Sequence, residues 1–207
     1  MARQAAGKPP LSGSIRIIAG FLRSRRLRFP VRPGLRPTGD RVRETLFNWL
    51  REDIVGARCL DLYAGSGALA VEALSRGAAF TDLVDNDEQV LTSLRQALQE
   101  LALGNAEVHL SSAEQFITRQ SGRAKPYDII FLDPPFAAGH LQRICAQLAS
   151  SDLLASGCRI YLESEQPVDE GLLPDSWQQH RSKKSGQVYY YLYEAPHVTC
   201  LDSDLHR

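Results

Sequence analysis

The sequence predicts an α/β fold: a mostly parallel, doubly wound sheet closed by a C-terminal antiparallel hairpin, with a small basic hairpin and helix ahead of it. Three observations predict it. From Arg58 onward, short apolar runs alternate with stretches of helical periodicity, the signature of strands joined by crossover helices. The first of those runs leads into a glycine-rich turn, Leu60-Asp61-Leu62-Tyr63-Ala64-Gly65-Ser66-Gly67. The last two runs are separated only by Ser185-Gly186, too short a connection for anything but an antiparallel pair.

Taken in order, residues 14–19 and 26–29 read as two short strands around a basic turn. Pro30, Pro33, Gly34 and Pro37 form a connector, and Thr38 or Asp40 is placed to cap a helix running to about Asp53. Val42, Leu46, Trp49 and Leu50 share one face of that helix, which docks the arm onto the main domain. The sheet strands are expected at 59–63, 80–84, 108–110, 129–132 and 160–162, with helices at 68–76, 88–103, 113–120 and 140–148. Strands at 177–184 and 187–193 complete the sheet. The division is residues 1–54 as a basic extension (1–13 disordered), 55–195 as the main domain and 196–207 as a tail.

Apolar content of 43% over 207 residues supports one substantial core plus a small appendage. The formal net charge of zero conceals an asymmetry: residues 1–39 carry nine Arg and Lys and no acid, leaving fifteen basic against twenty-four acidic residues in the remainder. A basic arm on an acidic body is the pattern of a nucleic-acid-binding extension, with a merely solvated tail as the alternative. Arg23, Arg25, Arg26 and Arg28 can straddle phosphates. Arg36, Arg41 and Arg43 sit at the junction with the main domain, as RNA contacts or as helix-surface charge, Arg43 alternatively pairing with Asp40. No apolar run is long enough for a membrane span, and the N-terminus lacks the apolar core of a secretory signal, so the chain reads as cytoplasmic. Cys59, Cys145, Cys158 and Cys200 are scattered, without a metal-binding spacing, and no metal is expected; Cys59 and Cys158 read as core residues.

In the turn after the first sheet strand, Gly65 and Gly67 permit a tight strand-to-helix bend and close backbone approach to a ligand, with Tyr63 and Ser66 beside them. Ala70 takes the place of the third glycine of a dinucleotide fingerprint, so the loop alone leaves NAD open. Two acids favour S-adenosyl-L-methionine. Asp61 can hold an amino group that a pyrophosphate site would not accommodate, unless it merely caps the turn. Asp85, about twenty residues beyond Gly65, stands where an acid accepts ribose hydroxyls, while Asn86 or Asp87 caps the following helix. Ser112 and Ala113 follow the third strand.

A second constellation, Asp133-Pro134-Pro135-Phe136, comes directly after an apolar strand. An exocyclic amine on a nucleobase is a poor nucleophile because its lone pair is delocalised into the ring. The Asp133 carboxylate and the Pro134 carbonyl can accept its two N–H groups, and two prolines pre-aim those oxygens. Phe136 offers a face for the extruded base. Glu163 and Glu165, at a strand end, are expected only to pair with basic neighbours.

These segments resemble a known family. Residues 14–20, Gly34-Leu35-Arg36-Pro37-Thr38, Asp40 through Leu50, residues 60–77, Asp133 through Phe136, Tyr161-Leu162-Glu163-Ser164-Glu165 and residues 186–193 are similar to the bacterial small-subunit ribosomal RNA guanine-N2 methyltransferases, over residues 14–194. The resemblance implies a Rossmann-like class I S-adenosylmethionine methyltransferase fold, and it is the resemblance that implies Ser112 and Ala113 lie near the adenine. It also implies methylation of the 2-amino group of one guanine in 16S rRNA, on a small ribosomal subunit or an assembly intermediate, by a monomer. Two other readings stay open: an amine methyltransferase acting on adenine or on DNA, and a non-enzymatic RNA-binding assembly factor.

Overall fold

The computed structural model describes residues 12–30, 38–134 and 139–196. The expectations for residues 1–11, for Arg36 and the connector around it, for Pro135 and Phe136, and for the tail from residue 197 lie outside the described residues.

The main sheet has seven strands in the order β5-β4-β3-β6-β7-β9-β8. Its strands are β3 (Arg58–Asp61), β4 (Phe80–Asp85), β5 (Ala106–Leu110), β6 (Tyr127–Leu132), β7 (Leu154–Ser164), β8 (Gln178–Ser185) and β9 (Val188–Glu194). The pairs β3–β4, β3–β6, β4–β5 and β6–β7 are parallel, and β7–β9 and β8–β9 antiparallel. The chain winds outward from β3 to β5 and then returns to lay β6 on the other side of β3. The carboxyl ends of β3 and β6 therefore flank the point where winding reverses, where open α/β sheets form a crevice.

Helices α1 (Asp40–Trp49), α2 (Ala68–Ser75), α3 (Glu88–Glu100), α4 (Ala113–Gln120) and α5 (His140–Ala149) cover both faces. Strand pleating sorts the core between them. Leu60, Ile130, Leu132, Ile160 and Leu162 pack with Phe116 of α4 and Ile144 and Leu148 of α5. Cys59, Ile129, Phe131 and Tyr161 pack with Leu46 and Phe47 of α1 and with Leu69 and Ala73 of α2. Trp49 stacks on Tyr190 at 5.4 Å between ring centroids, fastening the end of α1 to β9.

Several expected boundaries shift for identifiable reasons. Neither Thr38 nor Asp40 caps α1. Gly39 occupies that position without a side-chain bond, because the Thr38 side chain turns to Asp133 and Asp40 accepts from Arg43. The helix ends at Trp49 rather than near Asp53, since the Asp53 and Ile54 amides both fold back onto the Leu50 carbonyl. β7 is much longer than its apolar centre at 160–162, and its start is offset from β6 by a register shift between Tyr127 and Ile129. In the final hairpin the turn is Gly186-Gln187, with Ser185 paired to Val188 in the ladder. The positive φ of Gly186 serves the turn.

The N-terminal strands β1 (Ser12–Arg16) and β2 (Arg26–Pro30) form an antiparallel hairpin. Its apolar side, Ile17, Leu22 and Leu27, joins the cluster made by α2 and α3. Its polar anchor is Glu72 of α2, which is fully buried and accepts from the amides of Ile18 (2.8 Å) and Ala19 (3.0 Å). Gly20 is required where the turn meets α2: a Cβ there would lie 1.7 Å from the Ser75 carbonyl oxygen. Cys59 and Cys158 are buried in the core, as expected, and Cys145 joins them. Asp82 forms a further buried hub, accepting from Arg58 (2.6 Å) and from the Tyr127 hydroxyl (2.8 Å) and bonding His109 (2.7 Å). Those partners tie β4 to β3, β6 and β5.

Candidate active site

At the end of β3 the backbone leaves the sheet through residues 62–67 and enters α2 at Ala68. Three bonds pin this loop between its neighbours: Leu62 N–H to the Phe131 carbonyl (3.2 Å), Ala64 N–H to the Val84 carbonyl (2.9 Å) and Gly65 N–H to Asp85 Oδ2 (2.9 Å). Gly65 and Gly67 have φ of 48° and 76°. At Gly67 space is also limiting, since a Cβ would come within 2.4 Å of Leu94 Cδ2. The glycines therefore serve a close fit between loop and α3 as well as the bend.

Asp61 is buried beneath this loop. It accepts from the Tyr63 amide at 3.4 Å and from the Ala70 amide in the first turn of α2. Burial pushes its carboxyl up to about 7; the nearby Asp85 adds to the rise and the two amides oppose it. Asp85 accepts from the Gly65 amide through one oxygen and from the Asp87 amide through the other (2.9 Å). Asp87 itself caps α3 by accepting from the amides of Gln89 and Val90, so Asp85 is not the cap. Ser111 N–H donates to the Asp85 carbonyl (3.0 Å), bringing the β5–α4 junction to the same edge. There Ser112 caps α4 through the Gln115 amide (3.3 Å), and Ala113 is buried. Ser66 is buried, and the Tyr63 hydroxyl shares a 2.8 Å hydrogen bond with His140 Nε2.

Asp133 and Pro134 come immediately after β6. In the parallel β6–β7 ladder Leu132 is level with Leu162, which sets Asp133 beside Glu163. Burial raises the Asp133 carboxyl well above the ordinary range; the negative charges of Glu163 and Asp61 push the same way, and a hydrogen bond from the Thr38 side chain opposes them. Glu163 is itself 7% exposed and accepts from the Tyr161 hydroxyl at 2.7 Å. It is thus a buried neighbour of Asp133 rather than a surface acid. Sequence reasoning missed both Thr38 and Glu163 as site residues. Strand parity was the available signal for Glu163, because the runs ending at Leu132 and Leu162 stop at one level. For Thr38 no sequence signal existed.

The arginines divide. Arg23, Arg25, Arg26 and Arg28 are exposed on the hairpin, Arg26 donating to Ser14 Oγ (3.0 Å) and Arg25 to the Glu100 carbonyl at the end of α3 (2.9 Å). Arg41 is exposed on α1. Arg43 does not belong with them as an RNA contact. It is 1% exposed and donates to Asp40 (2.6 Å), to Glu72 (3.4 Å) and to the carbonyls of Arg16 (3.0 Å) and Thr38 (3.2 Å). Its guanidinium is consumed in holding β1, α1 and α2 together.

Two strand ends at the switch point thus present a glycine cradle with a buried acid and, alongside, an acid followed by proline. A family model described as conserved hypothetical protein 95 matches residues 15–194. Ribosomal RNA small subunit methyltransferase D of Escherichia coli K12 is 49% identical over 185 residues, covering 88% of this chain and 91% of its own. The chain belongs to this methyltransferase family. The family's Haemophilus influenzae protein of the same name is 40% identical over 189 residues, covering 90% of this chain and 96% of its own. The structure of Escherichia coli yhhF superimposes with a TM-score of 0.81 at 47% identity, covering 89% of this chain and 99% of that one. The family fold extends to the Thermus thermophilus 16S rRNA N2 G1207 methyltransferase, solved with AdoMet and guanosine. That structure gives a TM-score of 0.67 at 25% identity, covering 94% of this chain and 53% of that one.

Proposed function

We propose that this chain methylates the exocyclic 2-amino group of a guanine in 16S rRNA, using S-adenosylmethionine, and that it acts as a cytoplasmic monomer on the small ribosomal subunit or a precursor of it. The coarser statement, that it is an S-adenosylmethionine-dependent rRNA methyltransferase, rests on family membership. The observation that supports transfer to a nucleobase amine is the setting of Asp61 and Asp133 on adjacent strand ends at one crevice; the choice of guanine N2 leans on the fold shared with the 16S rRNA N2 G1207 methyltransferase.

The site suits the cofactor. A buried carboxylate at Asp61 matches the methionyl ammonium and the glycine turn admits backbone contact. Asp85, fixed by the Gly65 and Asp87 amides, keeps a lone pair on each oxygen with which it would accept from ribose hydroxyls. Ser112 and Ala113, at the β5–α4 junction on the same edge, would hold the adenine, and Tyr63 and Ser66 would contact the cofactor from the loop. When bound, S-adenosylmethionine supplies a methyl group on a sulfonium, whose C–S bond breaks as the new N–C bond forms. Asp133 and the Pro134 carbonyl accept the two amine hydrogens and turn the nitrogen lone pair toward that methyl. Once methylated, the nitrogen is acidic and gives its proton to Asp133, which need not be a strong base to receive it. Phe136 completes the base site by stacking. Arg23, Arg25, Arg26, Arg28 and Arg41, with Arg36, supply phosphate contacts along the approach.

The test is direct. Incubate the protein and cofactor with small subunits from a strain deleted for the gene, digest the RNA and identify the methylated nucleoside by mass spectrometry. N2-methylguanosine is expected. N6-methyladenosine would replace the guanine reading by the adenine one, and cofactor binding without transfer would favour an assembly factor.

A further inference from the structure

Beside Asp133 stands a carboxylate that the transfer scheme leaves without a task. Glu163 lies level with Asp133 on the adjoining strand. Pleating places it on the α1 face with Phe131 and Tyr161, next to Tyr190 of β9. The Tyr161 hydroxyl donates to Glu163 Oε2 at 2.7 Å, which fixes the carboxylate at the crevice edge. Two carboxyl groups thus stand side by side at the end of β6 and β7, and a carboxylate has room to accept more than one hydrogen bond, so a base whose amine reaches Asp133 also meets Glu163.

Among nucleobases, guanine brings the matching set. Its Watson–Crick edge carries the two hydrogens of the 2-amino group and, on the adjoining ring nitrogen, the N1 hydrogen. Asp133 and the Pro134 carbonyl account for the first two, leaving N1–H for a neighbouring acceptor. Adenine and cytosine both present a ring-nitrogen lone pair next to their amine, which a carboxylate in that place repels. We propose that Glu163 is the base-specificity residue of this enzyme, accepting the N1 hydrogen of the target guanine while Asp133 holds its 2-amino group. Tyr161 acts through Glu163 as a positioning residue. The inference rests on the guanine-N2 reading above and gives it a physical cause, since the Asp-Pro-Pro segment alone does not distinguish one amine-bearing base from another.

The experiment varies the base. Synthetic segments are ligated into 16S RNA so that the nucleotide methylated by the parent carries either guanine or 2-aminopurine, which keeps the 2-amino group but has a lone pair at N1. The RNAs are reconstituted into small-subunit particles, and kcat/KM is measured for the parent and for Glu163→Gln. The parent is expected to prefer guanine by at least about a hundred-fold, because a site built around a donor rejects a base lacking it. In Glu163→Gln, whose amide can turn its NH2 toward N1, the preference should narrow below about ten-fold, with calorimetric cofactor affinity within about two-fold of the parent. A parent that accepts both bases equally, or a Glu163→Gln enzyme with its preference intact, overturns the assignment. Should Glu163→Gln fail to bind cofactor, Tyr161→Phe, which loosens Glu163 without removing it, takes its place, and a preference left at the parental value overturns the assignment. If the guanine-bearing RNA yields a methylated nucleoside other than N2-methylguanosine, the underlying reading fails, and that outcome is seen without the 2-aminopurine arm.

Discussion

Asp61 is a side chain whose environment has a thermodynamic consequence that can be measured. Its carboxyl, pushed up to about 7 by burial, holds its proton more tightly in the folded protein than in the unfolded chain, where a value of about 3.9 is usual. On this group's account, ligand-free stability is greatest below about pH 4 and declines as pH rises toward 7. An ammonium placed against Asp61 favours the carboxylate and reverses the preference. Cofactor binding at pH 6 should therefore expel a proton, and affinity should rise between pH 5 and about 7. Calorimetry in two buffers of different ionisation enthalpy would read that release, and Asp61→Asn should abolish it. Equal proton release in the variant would remove Asp61 from the ammonium site.

At the scale of elements, the basic hairpin carries the next prediction. Its arginines are exposed while its apolar side is sealed against α2 and α3, so charge can be removed without opening the core. Replacing Arg23, Arg25, Arg26 and Arg28 together by Ala should leave the thermal midpoint and cofactor affinity near parental values. RNA binding should weaken, and each lost phosphate contact should flatten the slope of log K against log salt by up to roughly one unit. Identical slopes for parent and variant would leave the hairpin as a solubility feature. Elements of this kind were legible in the sequence because periodicity is local: α4 spans Ala113–Gln120 as expected, and β3, β4, β5 and β6 differ from expectation by at most two residues at either end. Burial of charge was less legible. Arg43 reads as a surface cation until β1, Thr38 and Glu72 are brought around it, and Glu163 reads as a surface acid until β6 and β9 close on either side. Both burials are completed by residues far apart in sequence, Glu72 and Arg16 around Arg43 and Asp133 and Tyr190 around Glu163.

For the molecule as a whole, Glu72 links parts that the chain keeps distant. One carboxylate receives the hairpin backbone, Arg43 of α1 and Arg76 of its own helix (2.7 Å). Replacing it with Ala removes one of the two carboxylates that pair with the buried Arg43, leaving Asp40 as the other, and leaves two amides without this acceptor. Loss of about 3–5 kcal/mol is expected, measured by urea unfolding of parent and variant. A change under about 1 kcal/mol would mean that the hairpin is held by its apolar side alone. The far side of the sheet carries a different lesson. β8 is exposed along almost its entire length and bears His180, Arg181, Lys183 and Lys184 at the end of the strand order. A margin so hydrophilic makes a poor template for further cross-β growth. The fold thus guards its colloidal behaviour at one border with the same kind of residue, the basic side chain, that it displays on the N-terminal hairpin.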